Sequence, residues 1–358
     1  MATYDSIADL PLEIETVEFG EHELELGPEF VRLTTVVKLG GGGHEGLGED
    51  VTYDALDHIA MRDAWPPEGL SGSFSFDSFS QRLDEAELWP SPPVREPSID
   101  YRRWAFESAA LDLALRQAGK NLAEAVGREA NPINFVVSTR LSPPGAEGPD
   151  TPDRVLRMLE KYPTTRFKID PTNSWTQQLI DALVETGALD SLDFKGFYSG
   201  TPVDVETDPE LYRMVIDSFP QTWFEDPDVT DETRPLLEPV ADRITWDAPI
   251  HSVEDIEARP WQPKMINIKP SRFGPVRRLF AAYDWCDEHG VGAYGGGQLE
   301  LGVGRGQIQY LASVFHPDTP NDTAPSPYNF RELPDGLETS PLEPRIDSIG
   351  FRRQPPSS

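Results

Sequence analysis

The sequence predicts an α/β fold in which a parallel (β/α) barrel follows a smaller α+β domain. Between residues 222 and 274, three short apolar runs recur, and an ionisable residue and a proline follow each of them closely. Runs of this length, separated by helical patterns, are typical of strands that are buried on both faces in a parallel sheet. About eight such strand patterns follow Gly127, and the length of 358 residues suits a barrel with an accessory domain.

The N-terminal part has the pattern of an α+β domain. Apolar and acidic side chains alternate in its first segment, as they do in a half-buried strand, and a glycine run follows the second segment. That run lacks the G-x-G-x-x-G order of a phosphate-binding loop, so we expect a hairpin turn. The expected elements are strands at 12–19 and 30–39, a short third strand reached through 44–49, loop with weak helix at 64–98, and an amphipathic helix at 101–126.

Beyond Gly127, apolar runs and amphipathic segments alternate, which predicts successive βα units. Besides the three apolar runs between residues 222 and 274, we expect strands at 133–139, 165–170 and 189–196, a glycine-rich strand end at 291–304 and a last strand after residue 316. The helices are expected at 151–162, 176–186, 208–219, 274–289 and 307–315. The proline-rich residues from 334 onward predict an extended surface segment.

The charge balance argues against some classes of partner. The chain has 31 basic and 62 acidic residues, a formal net charge of −31, and only seven lysines. A field of this sign repels nucleic acids and anionic membranes, so we expect neither as a partner. The acidity is that of a solvated surface, and a sharper interpretation is adaptation to a salty, halophilic cytoplasm.

Cysteine usage and the N-terminal residues bear on location. The single cysteine, Cys286, excludes an internal disulfide and a cysteine metal cluster. The first twelve residues lack a basic segment followed by an apolar core, and no apolar run approaches the length of about eighteen residues that a membrane helix needs. These features predict a cytoplasmic protein.

An ionisable side chain ends each of the three apolar runs between residues 222 and 274: Glu225 in F-E-D-P, Asp247 in W-D-A-P and Lys269 in N-I-K-P. In a closed parallel barrel the carboxyl ends of all strands meet at one mouth, where the reactive groups of such enzymes lie. Two carboxylates and a lysine at that mouth are able to hold a hard divalent cation beside a base. The sequence therefore predicts a metal-assisted site there.

Several segments also carry a resemblance to a known family. The helix W-A-F-E-S-A-A-L-D-L-A-L-R-Q-A-G-K-N-L lies at 104–122, and the strand ends are F-E-D-P, W-D-A-P-I-H-S-V-E-D-I, I-N-I-K-P-S-R-F-G and G-G-G-Q-L-E-L-G-V-G. In order and spacing they resemble the capping-domain helix and the fourth to seventh barrel strands of the enolase superfamily, in its mandelate racemase and muconate lactonizing enzyme branch. The resemblance spans residues 12–329. It implies a (β/α)7β-type TIM barrel at 131–330, with an N-terminal α+β capping domain at 1–130 and an extended tail at 331–358.

The resemblance implies a Mg²⁺ ion held by Asp193, Glu225 and Asp247 at the ends of the third, fourth and fifth strands. Magnesium prefers oxygen ligands and keeps positions open for substrate oxygens, so it stabilises the ene-diolate that forms when a carboxylate loses an α-proton. One position departs from the family pattern, which is Asp-x-Asn on the third strand, whereas this chain has Asp193-Phe194-Lys195. Lys195 either turns away to pair with an acid or alters the site.

The same resemblance implies two proton-transfer lysines, Lys168 and Lys269. The family carries Lys-x-Lys on the second strand, and here Arg166 takes the first place and Lys168 that of the base. A second register remains open, with Lys168 first and Asp170 at the position of the base. A cation-rich pocket beside a metal is expected to lower the pKa of such a lysine. For Lys269, a structural ion pair is the alternative.

The predicted function is proton abstraction α to a carboxylate of a small acid, by a racemase or epimerase, or by a cycloisomerase. Alternatives are a dehydratase similar to o-succinylbenzoate synthase and a barrel that binds a small acid without turnover. Glu300, on the seventh strand end, and Arg166 are the expected substrate-binding residues, and a structural role for Glu300 is equally open. A homo-oligomeric assembly is left open.

Salt provides a test of the acidic surface. Because salt screens the mutual repulsion of surface carboxylates, the melting temperature should rise as KCl increases from about 0.1 M toward molar concentrations. Circular dichroism melts across the KCl series measure this directly. A melting temperature that stays flat or falls across the series would contradict a salt-adapted surface.

Overall fold

Antiparallel strands and a long helix build the N-terminal domain, in a computed structural model that describes residues 2–27, 30–64, 66–143, 148–330 and 332–354. The elements in order are α1 (Asp5–Ala8), β1 (Pro11–Ile14), β2 (Thr16–Gly27), β3 (Phe30–Gly41), β4 (His44–Asp50), α2 (Ala55–Asp63), β5 (Gly72–Ser75), α3 (Phe76–Glu85), α4 (Ser98–Gln117) and α5 (Leu122–Val126). Three strands, β2, β3 and β4, form one antiparallel sheet, and β1 pairs with β5.

The N-terminal domain differs from the prediction at three places. The first expected strand is two strands, β1 and β2, which pair with different partners. The expected helix at 101–126 begins at Ser98 and is interrupted at Gly119, whose positive φ of 65° ends α4 before α5 begins. The segment expected as loop with weak helix contains β5 and α3. The strand β5 was not predicted because the short G-S-F-S run carries no clear strand pattern. The hairpin turn in the glycine run is confirmed between β3 and β4.

Helix α4 packs very closely against β4, and the glycines of β4 permit this. A Cβ atom at Gly46 would lie 2.2 Å from the carbonyl oxygen of Ala109, and one at Gly48 would lie 2.0 Å from that of Ala105. Both distances are far below van der Waals contact, so any side chain at these positions would push the helix away from the sheet. The glycines after the hairpin therefore serve helix packing.

The C-terminal part alternates strands and helices. Its elements are β6 (Val137–Thr139), α6 (Asp153–Lys161), β7 (Phe167–Ile169), α7 (Gln177–Thr186), β8 (Leu189–Asp193), α8 (Pro209–Ser218), β9 (Trp223–Glu225), α9 (Arg234–Leu237), β10 (Ile244–Thr245), α10 (Val253–Glu257), β11 (Met265–Ile268), α11 (Pro270–Phe273), α12 (Val276–His289), β12 (Gly292–Gly295) and α13 (Val303–Phe315), with 3-10 turns at Glu238–Arg243 and Ser326–Asn329. No helix in the described part is both long and apolar enough to cross a bilayer.

The barrel consists of a five-stranded parallel sheet, in the order β10-β9-β8-β7-β6, and a parallel pair, β11-β12. Residues 321–322 take the place of an eighth strand and complete the ring. Backbone hydrogen bonds join the parts, among them Asn267 N to Trp246 O (3.0 Å), Asp322 N to Gly295 O (2.8 Å) and Val136 N to Asn321 O (2.8 Å). The predicted (β/α)7β-type barrel with an N-terminal capping domain is confirmed.

Two buried charges of the capping domain hold one loop of the barrel, residues 298–304. Arg32 on β3 donates to carbonyl oxygens of this loop, and Glu49 on β4 accepts from its N–H groups; both side chains are fully buried. The partners are Gln298 O (2.9 Å), Leu299 O (3.3 Å), Leu301 N (2.7 Å), Gly302 N (3.0 Å) and Gly304 N (2.8 Å). Free N–H groups at the start of a helix such as α13 favour a carboxylate. The shape of this loop therefore depends on the capping domain.

The C-terminal segment is more firmly attached than an extended surface tail. Residues 332–354 contain no helix or strand, but the side chains of Leu342 and Phe351 are fully buried. Arg352 pairs with Asp112 of α4 at 2.5 Å, and Leu342 bridges to Ile133. The segment thus packs on both parts of the chain. The limits assigned to the domains, at residues 130 and 330, stay a prediction.

His316 is a buried histidine at the end of α13. Its Nδ1 lies 2.7 Å from Asn321 Oδ1, and its Nε2 lies 3.3 Å from the hydroxyl of Tyr283. Burial lowers the pKa of His316 from 6.5 to about 4. The neutral imidazole is therefore part of the packing that links α12, α13 and the eighth strand position.

This burial predicts a pH dependence of stability. In the unfolded chain His316 titrates near its ordinary pKa of 6.5, so between 6.5 and about 4 the unfolded state binds more protons than the folded state. The contribution of His316 to the free energy of unfolding should therefore be fully present above pH 6.5 and be lost as the pH falls through this window, by roughly 3 kcal/mol. Urea unfolding at several pH values should show a shallower fall for His316→Gln.

The matched control is His289→Gln, since His289 is an exposed histidine at the end of α12. This variant should keep the wild-type dependence on pH. Identical slopes for wild type and His316→Gln between pH 6.5 and 4 would show that burial of His316 does not destabilise the protein in acid.

Candidate active site

Three carboxylates from neighbouring strands meet at the carboxyl-end mouth of the barrel. Asp193 ends β8, Glu225 ends β9, and Asp247 follows β10. Their side chains are at most 1% exposed, and one oxygen of each lies within 4.8 Å of the others. The buried apolar residues Phe224 and Trp246 directly precede two of them, so the alternation along each strand directs the carboxylates inward. We call these three residues the carboxylate triad.

Two lysines contact the triad from opposite sides. Lys168 on β7 donates to Glu225 Oε1, and its Nζ lies 3.4 Å from Asp193 Oδ2. Lys269, directly after β11, donates to Asp247 Oδ2 at 2.8 Å. In a ring of eight strand positions, β7 and β11 are four positions apart. The lysines therefore face each other across the triad.

The charges of the site depend on one another. Although burial opposes it, Glu225 and Asp193 hold the pKa of Lys168 well above its usual value. Burial also opposes ionisation of Asp247, yet Arg272 and Lys269 hold its pKa below the ordinary range. The pKa of Lys168 thus shifts in the direction opposite to the expected lowering, because carboxylates rather than cations surround its ammonium group. These ion pairs offset the desolvation of the buried acids.

Sequence reasoning missed three side chains that touch the triad. The Tyr294 hydroxyl donates to Glu225 Oε2, and Arg272 Nη1 donates to Asp247 Oδ1 at 2.7 Å. The Tyr198 hydroxyl lies 3.4 Å from Asp247 Oδ2. Arg272 was open to prediction, since it follows Lys269 by three residues and the turn α11 brings both to the same side. Tyr198 lies in a loop that carries no comparable signal.

Lys195 pairs with acids but does not turn away from the triad, since one of those acids is Asp193. Its Nζ lies 2.5 Å from Asp193 Oδ2 and 3.4 Å from Asp170 Oδ1. Asp170 also accepts from Arg140 Nε at 3.0 Å. Asp170 is therefore engaged with two cations, and the register that makes Lys168 the base stays a prediction.

Neither expected substrate-binding residue contacts the triad in the described ranges. Arg166 pairs with Asp190 and donates to Gly187 O at 2.6 Å, near the amino end of β8 and away from the mouth. Glu300 lies in the loop 298–304, where its carboxylate accepts from Gln298 N at 2.6 Å and lies 3.2 Å from Arg305. Within the described ranges, no hydrogen bond or ion pair joins Arg166 or Glu300 to the triad. Substrate contact by Arg166 and Glu300 stays a prediction.

The triad fits a hard divalent cation. It offers carboxylate oxygens alone, which is the donor chemistry that Mg²⁺ prefers. Its position is held by Asp226, whose side chain accepts from the N–H groups of Asp247 and Ala248, each at 2.8 Å. Burial beside Asp247 raises the pKa of Asp226 to about 7. In the described residues, the triad is the one group of three acidic, histidine or cysteine side chains close enough to share an ion.

Comparisons with known proteins identify the fold. A dipeptide epimerase from Methylococcus capsulatus, solved with a Mg ion, superposes with a TM-score of 0.69 at 17% identity, covering 95% of this chain and 99% of the other. The fold is therefore that of the enolase superfamily, and the predicted resemblance is confirmed.

Curated sequences that align with the chain come from the same superfamily. The o-succinylbenzoate synthase of Bacillus subtilis (strain 168) is 29% identical over 228 residues, which cover 62% of this chain and 58% of that enzyme. The alignment thus spans less than two thirds of the enzyme. An N-succinylamino acid racemase of Thermus thermophilus is 24% identical over 330 residues, covering 89% of this chain and 84% of the other.

Family profiles narrow the assignment further. The N-terminal domain profile of DUF8230, a domain of unknown function, matches residues 5–125, and its C-terminal domain profile matches residues 129–330. The chain belongs to the DUF8230 family.

Proposed function

We propose that this protein is a Mg²⁺-dependent enzyme that removes the α-proton of a small carboxylic acid, and that it acts as a racemase or epimerase, or as a cycloisomerase. The observation that carries the proposal is the meeting of a buried carboxylate triad with Lys168 and Lys269, two ammonium groups from opposite strands of the barrel. A small acid between the two lysines would present opposite faces of its α-carbon to them. That arrangement suits reactions in which a proton leaves one face and returns on the other.

Bound by Asp193, Glu225 and Asp247, Mg²⁺ would polarise the substrate carboxylate, stabilise the charge that develops as the α-proton leaves, and lower the pKa of a neighbouring lysine. Lys168 and Lys269 then take up and return the proton at their Nζ atoms. Hydrogen bonds from Tyr294 to Glu225 and from Arg272 to Asp247 hold two of the carboxylates in place.

The capping domain covers this mouth. The Tyr53 hydroxyl donates to Gln298 Oε1 at 3.1 Å, and Gln298 Nε2 donates to the Tyr101 hydroxyl at 3.3 Å. These contacts close one side of the site with capping-domain side chains. Exclusion of water there would strengthen each electrostatic contact with a bound acid.

A dehydratase similar to o-succinylbenzoate synthase is the second candidate, because the aligned enzyme of Bacillus subtilis has that name. The same triad and lysines would serve it, with one lysine moving the proton and the other stabilising charge. A barrel that binds a small acid without turnover is the alternative of another class, motivated by Lys195 beside Asp193.

We also propose that the physiological partner is a small carboxylate and that the protein works in the cytoplasm. A homo-oligomeric assembly is compatible with this function and is tested by sedimentation velocity. Proton exchange in D₂O across N-acyl amino acids, dipeptides and acid sugars, with Mg²⁺ or with EDTA, is the experiment that identifies the substrate class.

Metal binding is tested by two conservative variants. Glu225→Gln and Asp247→Asn each remove one charged oxygen ligand, so each should weaken Mg²⁺ binding at least roughly tenfold, about 1.4 kcal/mol. Isothermal titration calorimetry measures the affinity. Asp190→Asn is the control, because Asp190 pairs with Arg166 away from the mouth, and it should bind Mg²⁺ as wild type does. Unchanged affinity in both triad variants would remove the metal from the proposal.

The two lysines separate the candidate reactions. In a racemase or epimerase, Lys168→Ala should abolish α-proton exchange for one stereoisomer and retain some for the other, and Lys269→Ala should show the mirror pattern. Proton NMR in D₂O follows each enantiomer separately. In a cycloisomerase or a dehydratase, both variants should instead lose turnover of one and the same substrate. Absence of exchange in wild type with every acid, together with wild-type ligand binding by Lys168→Ala, would favour the binding protein.

A further inference from the structure

Lys195 lies between two carboxylates that belong to different parts of the mouth. Its Nζ lies 2.5 Å from Asp193 Oδ2 and 3.4 Å from Asp170 Oδ1. Asp193 belongs to the carboxylate triad, whereas Asp170 follows β7 and takes no part in it. One ammonium group therefore has two acceptors within ion-pair distance, and a small movement exchanges one for the other.

The backbone at Lys195 is held in a conformation that few side chains adopt. Its φ of 57° lies in the left-handed region, where residues other than glycine and asparagine are disfavoured by about 1 kcal/mol. The N–H group of Lys195 donates to Asp193 Oδ1 at 3.1 Å, which ties this strained residue to the acid that its side chain also contacts. The hydrogen bond and the ion pair with Asp193 hold Lys195 at the mouth despite this strain.

Asp170 is a fixed acceptor. Arg140 Nε donates to its other oxygen at 3.0 Å, and Arg140 Nη2 donates to Val203 O at 2.5 Å. Asp170 itself is 7% exposed. An ammonium group that leaves Asp193 therefore finds a buried, oriented carboxylate already in place, and it does not have to enter water.

We propose that Lys195 competes with Mg²⁺ for Asp193, and that Asp170 accepts the Lys195 ammonium group when the cation binds. This inference rests on the proposed metal site. A divalent cation bound to Asp193 and the Lys195 ammonium group repel each other at such short range, so the second ion pair with Asp170 limits the cost of binding. Lys195 is thus a positioning residue that sets the affinity of the triad and keeps Asp193 paired.

Mg²⁺ titration of four variants tests the exchange. Lys195→Asn and Lys195→Met remove the competing charge, and each should bind Mg²⁺ at least about tenfold more tightly than wild type. Asparagine also suits the left-handed backbone, so this variant is expected to fold. Asp170→Asn removes the second acceptor and should weaken binding about tenfold. In Lys195→Met/Asp170→Asn, the affinity should stay within about threefold of Lys195→Met, because Asp170 acts through Lys195.

A second readout needs no metal. In EDTA, Lys195→Met should melt below wild type, because Asp193 loses the ammonium group 2.5 Å away. Added Mg²⁺ should then raise the melting temperature of this variant more than that of wild type. Lys161→Met is the matched control, since Lys161 is a lysine paired with exposed Asp335, and its Mg²⁺ affinity should equal that of wild type.

The outcomes separate this inference from the proposed function. If wild type binds Mg²⁺ and the Lys195 variants bind it equally or more weakly, the competition is overturned while the metal site stands. If Asp170→Asn weakens Mg²⁺ binding equally in wild type and in Lys195→Met, Asp170 acts through its own charge. That result also overturns the proposed movement of the Lys195 ammonium group to Asp170. If neither wild type nor any Lys195 variant binds Mg²⁺, the metal site fails and this inference fails with it. Binding by the Lys195 variants alone supports the competition.

Discussion

The mouth of the barrel depends on the neutralisation of buried acids. Five carboxylates lie there almost without solvent contact, and five cationic side chains contact them or their neighbours: Asp170, Asp193, Glu225, Asp226 and Asp247 on one side, and Arg140, Lys168, Lys195, Lys269 and Arg272 on the other. A buried charge without a partner costs several kcal/mol, so none of these strands can end differently without disturbing the others. Burial and, to a lesser extent, Asp193 raise the pKa of Glu225 although Lys168 opposes this, whereas Arg272 and Lys269 hold the pKa of Asp247 below its usual range despite burial.

Buried charges also join the capping domain to the mouth of the barrel. The loop 298–304 follows β12, and Arg32 and Glu49 of the capping sheet hold its carbonyl and N–H groups. Both charges are fully buried and are satisfied by backbone dipoles as well as by side chains. A barrel without its capping domain would leave these carbonyl and N–H groups without the two charges that hold them. The shape of the mouth is therefore a property of both parts of the chain.

Much of the fold was open to prediction, and the failures have physical causes. Strands such as 223–225 and 265–268 are buried on both faces, so their apolar runs stand out in the sequence. The strand β5 is short, polar and at an edge, and only its partner β1 makes it a strand. The tail lacks periodicity because Leu342 and Phe351 are buried singly, against elements far away in the chain.

For the site, the sequence alone determined which acids and lysines end the strands, because an apolar run followed by Glu225, Asp247 or Lys269 specifies both burial and direction. It did not determine the partners of those residues. Arg166 and Lys168 are two residues apart, so a strand pattern predicts the same face for both. Arg166 nevertheless lies before β7 and pairs with Asp190, away from the mouth. Lys195 and Asp170 are 25 positions apart and meet only because β7 and β8 are parallel neighbours. Pairing between strand ends is set by barrel closure, so only the tertiary structure decided which charges share the mouth.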